Sequence, residues 1–281
     1  MFLKMKRILL LPVLVLFLVS CNVYQKVLKN EDTKVKYELA EKYYDEGDFK
    51  RANRLLEQIA PRFAGKPQGE RVQFFLANTY FQIRDYNFAG YQFERFIKSY
   101  PKSEKASEAS FLGAKSYYML SPKYSLDQTD TDKALVKLQG FINSYPDSEY
   151  LPEANAMAKE LTTKKEKKAF EIARQFTKLG KSYFLDYNVS AIAALDNFIS
   201  DHPGSVFRED AYYYKVEATS NMALNSTEDK KKERLDNART AYDNLIKYYP
   251  ETKYAKAATQ LIEKIDKELQ LYKEVQDNLT K

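Results

Sequence analysis

Residues 89–101 read "AGYQFERFIKSYP". Ala89 is followed four places on by Phe93 and seven places on by Phe96, with Ile97 beside it and Pro101 at the thirteenth place. Offsets of four and seven share one face of an α-helix. Alanine on that face lets a neighbouring helix approach closely, and proline cannot continue a helix, so it marks the end. The pattern returns in "ALVKLQGFINSYP" from Ala134, "AIAALDNFISDHP" from Ala191 and "ARTAYDNLIKYYP" from Ala238. "ANRLLEQIAPRF" from Ala52 departs from it, because Pro61 comes early.

A second pattern precedes these helices. Aromatic doublets stand at Tyr43-Tyr44, Tyr80-Phe81 and Tyr117-Tyr118, spaced by 37 residues, and again at Tyr183-Phe184. Leu39-Ala40, Leu76-Ala77 and Leu179-Gly180 place a small residue three before the doublet's tyrosine. "EGDF", "RDYN" and "LDYN" read as turns between the two helices. Each unit is therefore helix A, turn, helix B, proline. This resembles the tetratricopeptide repeat, with its Leu-Gly-x2-Tyr, Ala, Phe and Pro positions. Five repeats begin near residues 34, 70, 106, 172 and 208. The resemblance implies an all-α fold, a right-handed superhelical solenoid of about five such helix pairs.

Departures from the period carry information. "SPKYSLDQTDTDK" and "LNSTEDKKKERLD" are polar insertions that belong in loops of repeats three and five. "SEYLPEANAMAKELTTKKEKKAFEIARQF" holds no glycine, and Pro152 suits a helix start. It predicts one long helix from about residue 150 into repeat four. The C-terminal "YAKAATQLIEKIDKELQLYKEVQDNLTK" reads as a capping helix. The domains expected are repeats one to three over 34–148, then the linking helix, repeats four and five and the cap over 149–281.

The N-terminus is of another kind. Lys4, Lys6 and Arg7 precede an apolar run from Ile8 to Val19, a charged n-region and an h-region too short to span a bilayer. Leu18-Val19-Ser20-Cys21 resembles the lipobox of bacterial lipoproteins. That resemblance implies cleavage after residue 20, lipid on Cys21, the chain's single cysteine, and a polar tether over 21–33. One acyl chain holds only marginally and several hold stably, at about 0.8 kcal/mol per buried CH₂. Asn22 stands where the inner-membrane retention aspartate would be, which favours the outer membrane.

Without residues 1–20 the net charge falls from +6 to +3, which is not the footprint of a nucleic-acid binder. The cluster Lys164, Lys165, Lys167 and Lys168 lies among acids and reads as a solvated helix face. One histidine, His202, sits at a turn, so triads and zinc sites lack their parts, and no Gly-rich phosphate loop is present. An enzyme is not expected, nor a metal or a cofactor beyond the covalent lipid.

"FIKSYPKSEKASEA", "FINSYPDSEYLPEA" and "NLIKYYPETKYAKAA" add a Tyr-Pro-x-Ser-type turn followed by alanines. Lipobox, tether, five repeats, these turns, the "LDQTDTDKA" insertion and the long helix together resemble the BamD family of outer-membrane protein assembly lipoproteins. The resemblance implies a lipid-anchored scaffold on the periplasmic side of the outer membrane. Its partners would be the periplasmic domains of the β-barrel insertase, unfolded outer-membrane proteins and other assembly lipoproteins. A periplasmic adaptor for peptidoglycan, division or Tol-type machinery is the alternative. In solenoids of this kind helices A line a groove. Tyr43, Tyr80 and Tyr117 are expected to pack, while Tyr44, Phe81 and Tyr118, with Tyr37, Phe74 and Phe111, would form an aromatic stripe beside Arg71, Asn78 and Gln82. That stripe is the candidate peptide-binding site. The competing reading makes these rings packing between repeats.

Overall fold

A computed structural model describes residues 23–182 and 184–279. The predicted signal peptide and Cys21 lie outside the described residues, as does Tyr183. All regular structure among the described residues is helical. Part of the region read as a tether is a short helix, α1 (23–29), docked by Tyr24, which is buried with its ring edge-on to Tyr43 at 5.8 Å. Repeats one to three are α2 (Thr33–Asp45) with α3 (Phe49–Phe63), α4 (Gly69–Gln82) with α5 (Tyr86–Ser99), and α6 (Ala106–Leu120) with α7 (Thr129–Ser144). The long helix α8 (Leu151–Ser182) precedes α9 (Asp186–Asp201), α10 (Arg208–Leu224), α11 (Glu228–Tyr248) and α12 (Ala255–Leu279). The described residues divide into two compact units, one holding 23–122 and 127–161, the other 123–126 and the described residues from 162 onward.

The alanines that open each B pattern carry the packing. Ala52, Ala89, Ala134, Ala191 and Ala238 are fully buried, and so are Leu55, Leu56, Phe93, Phe96, Leu138, Leu195 and Leu245. Close approach excludes a larger residue at Gly90, where a Cβ would stand 2.9 Å from the Tyr117 ring. The A-to-B turns are tight for a backbone reason. Gly47 and, 37 residues on, Arg84 adopt positive φ, 78° and 66°. The amides of Asp48 and Asp85 reach back to the carbonyls of Tyr43 and Tyr80 at 2.8 and 2.9 Å, and each aspartate caps the next helix with its side chain. Pro61 does not end α3: it sits inside the last turn, and the helix stops at Phe63.

The B-to-A junctions repeat one construction. Tyr100, Tyr145, His202 and Tyr249 precede the prolines and close α5, α7, α9 and α11 by donating their amides to Phe96, Phe141, Phe198 and Leu245. Three residues on, the hydroxyls of Ser103, Ser148, Ser205 and Thr252 each accept an amide from two residues further along, at 2.9, 3.3, 3.2 and 3.2 Å. The same hydroxyls engage Glu70, Ser107, Glu166 and Glu209 at 2.6, 2.9, 2.8 and 2.7 Å. The side chain two residues after the hydroxyl then covers the ring four residues after its partner. Tyr150 stacks on Phe111 at 4.7 Å, Phe207 on Phe170 at 5.5 Å and Tyr254 on Tyr213 at 3.9 Å, while the Lys105 ammonium lies 5.5 Å from the Phe74 ring.

This construction sets the register of repeat four, and it differs from the one the Leu-Gly-x2-Tyr spacing predicts. Glu166 and Phe170 take the places of Glu70 and Phe74, so the small packing residue is Ala173, fully buried, two turns before Gly180. Gly180 has a separate reason to be glycine. A Cβ there would stand 2.4 Å from Asn188 Oδ1, and its carbonyl accepts Nδ2–H groups from Asn188 and Asn221 at 3.2 and 2.9 Å.

Within the second unit, the lysine run on α8 also differs from a solvated face. The Lys167 ammonium lies 4.5 Å from the Tyr124 ring centroid, and Lys168 Nζ donates to the Leu126 carbonyl at 2.7 Å. Both hold the segment 123–126 from the α6–α7 insertion. His202 behaves as its turn position predicts: it closes α9, its ring 4.9 Å from Phe198.

Tyrosine hydroxyls donate to carboxylates of neighbouring helices: Tyr80 to Glu57, Tyr118 to Glu160 at 2.7 Å, Tyr254 to Asp210 at 2.7 Å and Tyr272 to Glu228. The bond to Glu160, with burial, pushes the Tyr118 hydroxyl up to about 12. Burial and then Glu94 push Tyr117 up to about 12. Tyr80 and Tyr254 move the same way, by burial first and by the bonded carboxylate second. Carboxylate partners raise Lys105, Lys231 and Lys253 as well. Groups raised in the fold contribute stability that is complete below their unfolded pKa, 10.0 for tyrosine, and is lost as pH rises through the folded value. The urea midpoint should therefore hold from pH 7 to 9 and fall steadily from about pH 10 to 12; a flat midpoint across that upper range would refute the account. In the core, Phe93→Ala should cost about 3–5 kcal/mol in chemical denaturation. Val136→Ala, at a position 69% exposed, should change it by less than about 0.5 kcal/mol.

Candidate functional site

In the first unit, one face of α2 carries Tyr37, Glu41 and Tyr44, spaced four and three residues apart; the adjoining face of α4 carries Arg71, Phe75, Asn78 and Gln82 at the same helical spacing. The two faces meet in a ring stack. Tyr44 and Phe75 lie 4.0 Å apart and 7° from parallel, and Phe49 meets Tyr44 edge-on at 5.5 Å. The Arg71 guanidinium pairs with Glu41 and sits 5.0 Å from the Phe75 ring centroid. Asn78 Nδ2 donates to the Tyr44 hydroxyl, and Gln82 Nε2 donates to Asn78 Oδ1 at 3.3 Å. Burial pushes the Tyr44 hydroxyl above its ordinary range against the opposing effect of the Asn78 bond, so the phenol stays neutral. Tyr37 lies at the far end of the face, 5.7 Å from Phe63, its hydroxyl raised by burial against the lowering effect of the Arg71 charge.

The nine residues of the predicted stripe thus separate into four sets. Tyr44, Arg71, Asn78 and Gln82 are brought together, with Tyr37 beside them. Phe74 and Phe111 are not groove residues: they are 6% and 2% exposed and belong to the core. Phe74 packs on Phe93 and Phe96 at 6.1 and 5.5 Å, and Phe111 lies between Phe141 and Tyr150. Phe81 turns to Tyr86 at its own helix turn, 5.6 Å away. Tyr118 is engaged by Glu160 of α8. Phe74 and Phe111 occupy the ring position covered by the next junction.

Sequence reasoning missed Phe75 and Glu41. The signal was available, since Phe75 is four residues after Arg71 and Glu41 is four after Tyr37. Choosing the ring at the 37-residue offset picked the buried member of the Phe74-Phe75 pair instead.

The face combines flat rings, a guanidinium whose side chain is 55% exposed and an amide chain ending at Gln82. Such a surface can stack on an aromatic side chain, accept a carboxylate and hydrogen-bond a peptide backbone. Among the described residues no group of His, Cys, Asp and Glu is arranged to hold a metal ion, and no helix is long and apolar enough to cross a membrane.

A family model described as YfiO, outer membrane lipoprotein, matches residues 29–185 and 179–276. The outer membrane protein assembly factor BamD of Caulobacter vibrioides is 27% identical over 132 residues, 47% of this chain and 41% of that protein. BamD of Helicobacter pylori is 24% identical over 101 residues, 36% of this chain and 46% of that one. BamD of Pasteurella multocida is 21% identical over 199 residues, 67% of this chain and 74% of that one. The chain thus spans less than half the length of the first two of these relatives. Among solved structures, TPR-like repeats of a Podosopora anserina putative kinesin light chain give a TM-score of 0.32 at 14% identity, covering 75% of this chain and 94% of that one. With both halves matched by one model, the chain belongs to the YfiO family of outer membrane lipoproteins.

Proposed function

We propose that this protein is a non-catalytic, lipid-anchored scaffold of the outer-membrane β-barrel assembly machinery, held through Cys21 and facing the periplasm. It binds the periplasmic domains of the barrel insertase, contacts other assembly lipoproteins, and receives unfolded outer-membrane proteins. It uses no cofactor apart from its own lipid. The family match and the BamD names of the relatives support the assembly role. The observation that carries client binding is the Tyr44–Phe75 stack flanked by Arg71 and by the Asn78–Gln82 amides.

An outer-membrane-protein segment alternates apolar and polar residues, because a barrel strand alternates its faces. An aromatic residue of such a segment would extend the ring stack, and a carboxylate would reach Arg71. Aromatic pairs contribute about 0.5–1.5 kcal/mol beyond area burial.

Two measurements test this reading. A photo-crosslinking residue in place of Gln82, in the full-length lipidated protein within outer membranes, should capture unfolded outer-membrane proteins, while affinity purification of the same protein recovers a barrel insertase. Recovery of peptidoglycan-linked or division proteins in place of the insertase would overturn the assembly reading. For a synthetic peptide ending in an aromatic residue, Phe75→Ala should weaken binding about tenfold and Val136→Ala, at an exposed position of α7, should leave it unchanged. Equal loss in the two variants would remove the face from client binding.

A further inference from the structure

A second site lies on the other side of the first unit, where α3, α4 and α5 meet. A cavity of about 330 Å³ opens there, at the lower end of the range for ligand pockets, about 300–1,000 Å³. It borders the one B-to-A junction that lacks the Tyr-Pro-x-Ser construction. Ala60, Pro61 and Ala64 form one wall, and Gly69 is pressed so closely against the Phe63 carbonyl that a Cβ would stand 2.3 Å from it.

Two glutamines line this cavity, Gln73 from α4 and Gln92 from α5. Gln92 is about nine-tenths buried. Its Oε1 has no hydrogen-bond partner, and neither does Gln73 Nε2. A buried polar group left unpaired costs about 1–3 kcal/mol. The fold does not require amides here. The positions equivalent to Gln73, just before the buried ring, hold Ser110, Ala169 and Tyr212; those equivalent to Gln92, three after the B-helix alanine, hold Lys137, Ala194 and Ala241. The second unit has a cavity of about 500 Å³ lined by α9, α10 and α11, but its Asp196 and Lys215 pair with one another at 2.5 Å.

An unpartnered donor and an unpartnered acceptor on two residues that line one cavity, each atom itself shielded from solvent, match the two polar atoms of a peptide unit once their side chains turn toward it. A backbone C=O accepts from Gln73 Nε2, and the adjoining N–H donates to Gln92 Oε1. We propose that the α3–α4–α5 cavity binds an extended polypeptide segment through one peptide unit held between Gln73 and Gln92. An apolar side chain of the segment fills the space beside Ala60, Leu76 and Tyr100. Glu57 and Arg95, one charge of each sign, border the cavity, which favours an uncharged segment. The outer face of α5 continues the surface with Phe88 and Tyr91, 55% and 54% exposed, Phe88 stacked at 5.4 Å on the cavity residue Tyr80. This site is separate from the α2–α4 face and stands or falls independently of it.

The test uses the mature protein, side-chain amide NMR and the capped peptide acetyl-Ala-Phe-Ala-N-methylamide. The peptide should shift the Gln73 and Gln92 side-chain signals. Its ester analogue, lacking the central N–H, should bind at least tenfold more weakly. Gln92→Met should reduce peptide binding at least tenfold while raising the denaturation midpoint, since it removes an unpaired buried acceptor. Val136→Ala, at an exposed position of α7, should bind the peptide like the parent. Unshifted glutamine signals, equal binding of peptide and ester, or a lowered midpoint in Gln92→Met would each overturn the proposal.

Discussion

A hydroxyl four residues beyond the last residue of each later B helix holds the repeats in order. Ser103, Ser148, Ser205 and Thr252 each accept an amide of the chain turning into the next helix and each bond a side chain of an A helix. One small group therefore fixes three segments at once: the B helix behind it, the A helix it precedes and the A helix of its own repeat. Proline stops the helix, but it cannot aim the next one. The hydroxyl aims it, and a stacked or cationic side chain covers Phe74, Phe111, Phe170 and Tyr213 beside it. The part-buried bonds from Ser103, Ser205 and Thr252 to carboxylates are stronger than neutral ones and punish loss of either partner.

From that constraint comes the candidate site. With the ring before each junction committed to the core, the residue after it faces outward. Phe75 is that residue in repeat two, and its neighbour on the preceding A helix is Tyr44. In repeat three the corresponding residue is Leu112, in repeat four Glu171, in repeat five Tyr214. An aromatic pair at this place thus arises where α2 meets α4, and the guanidinium and amides around it are one helical turn away on the same helix. The face is a product of the junction's geometry, with chemistry added by residues that the junction leaves free.

Much of this was legible in the residues. The alanine-to-proline pattern revealed helices B because burial and helix termination both act on residue type at fixed offsets. The A helices were visible through their doublets. What escaped was whatever depends on which of two adjacent rings turns inward. Phe74 and Phe75 are chemically alike, and the choice between them is made by Lys105 and the Ser103 junction, about thirty residues later in the chain. The same holds for repeat four. Gly180 imitates the small residue of the repeat, yet it is small because Asn188 crosses it, and Ala173 holds the packing position. The lysines of α8 read as solvated because their partners, Tyr124 and the Leu126 carbonyl, lie in an insertion some forty residues away.

Where the period fails, the failure itself is informative. Pro61 falls inside the last turn of α3 instead of after it, so no hydroxyl junction forms between α3 and α4, and the chain turns through Gly65, at φ 75°, to the crowded Gly69. The cavity borders this junction. The cavity is the geometric remainder. The amides of Gln73 and Gln92 are a further step, because a remainder alone would be lined most stably by apolar groups. Two polar atoms set against that preference, of opposite hydrogen-bonding sense and at positions filled otherwise in every later repeat, are what a site selected for a polar ligand would leave behind.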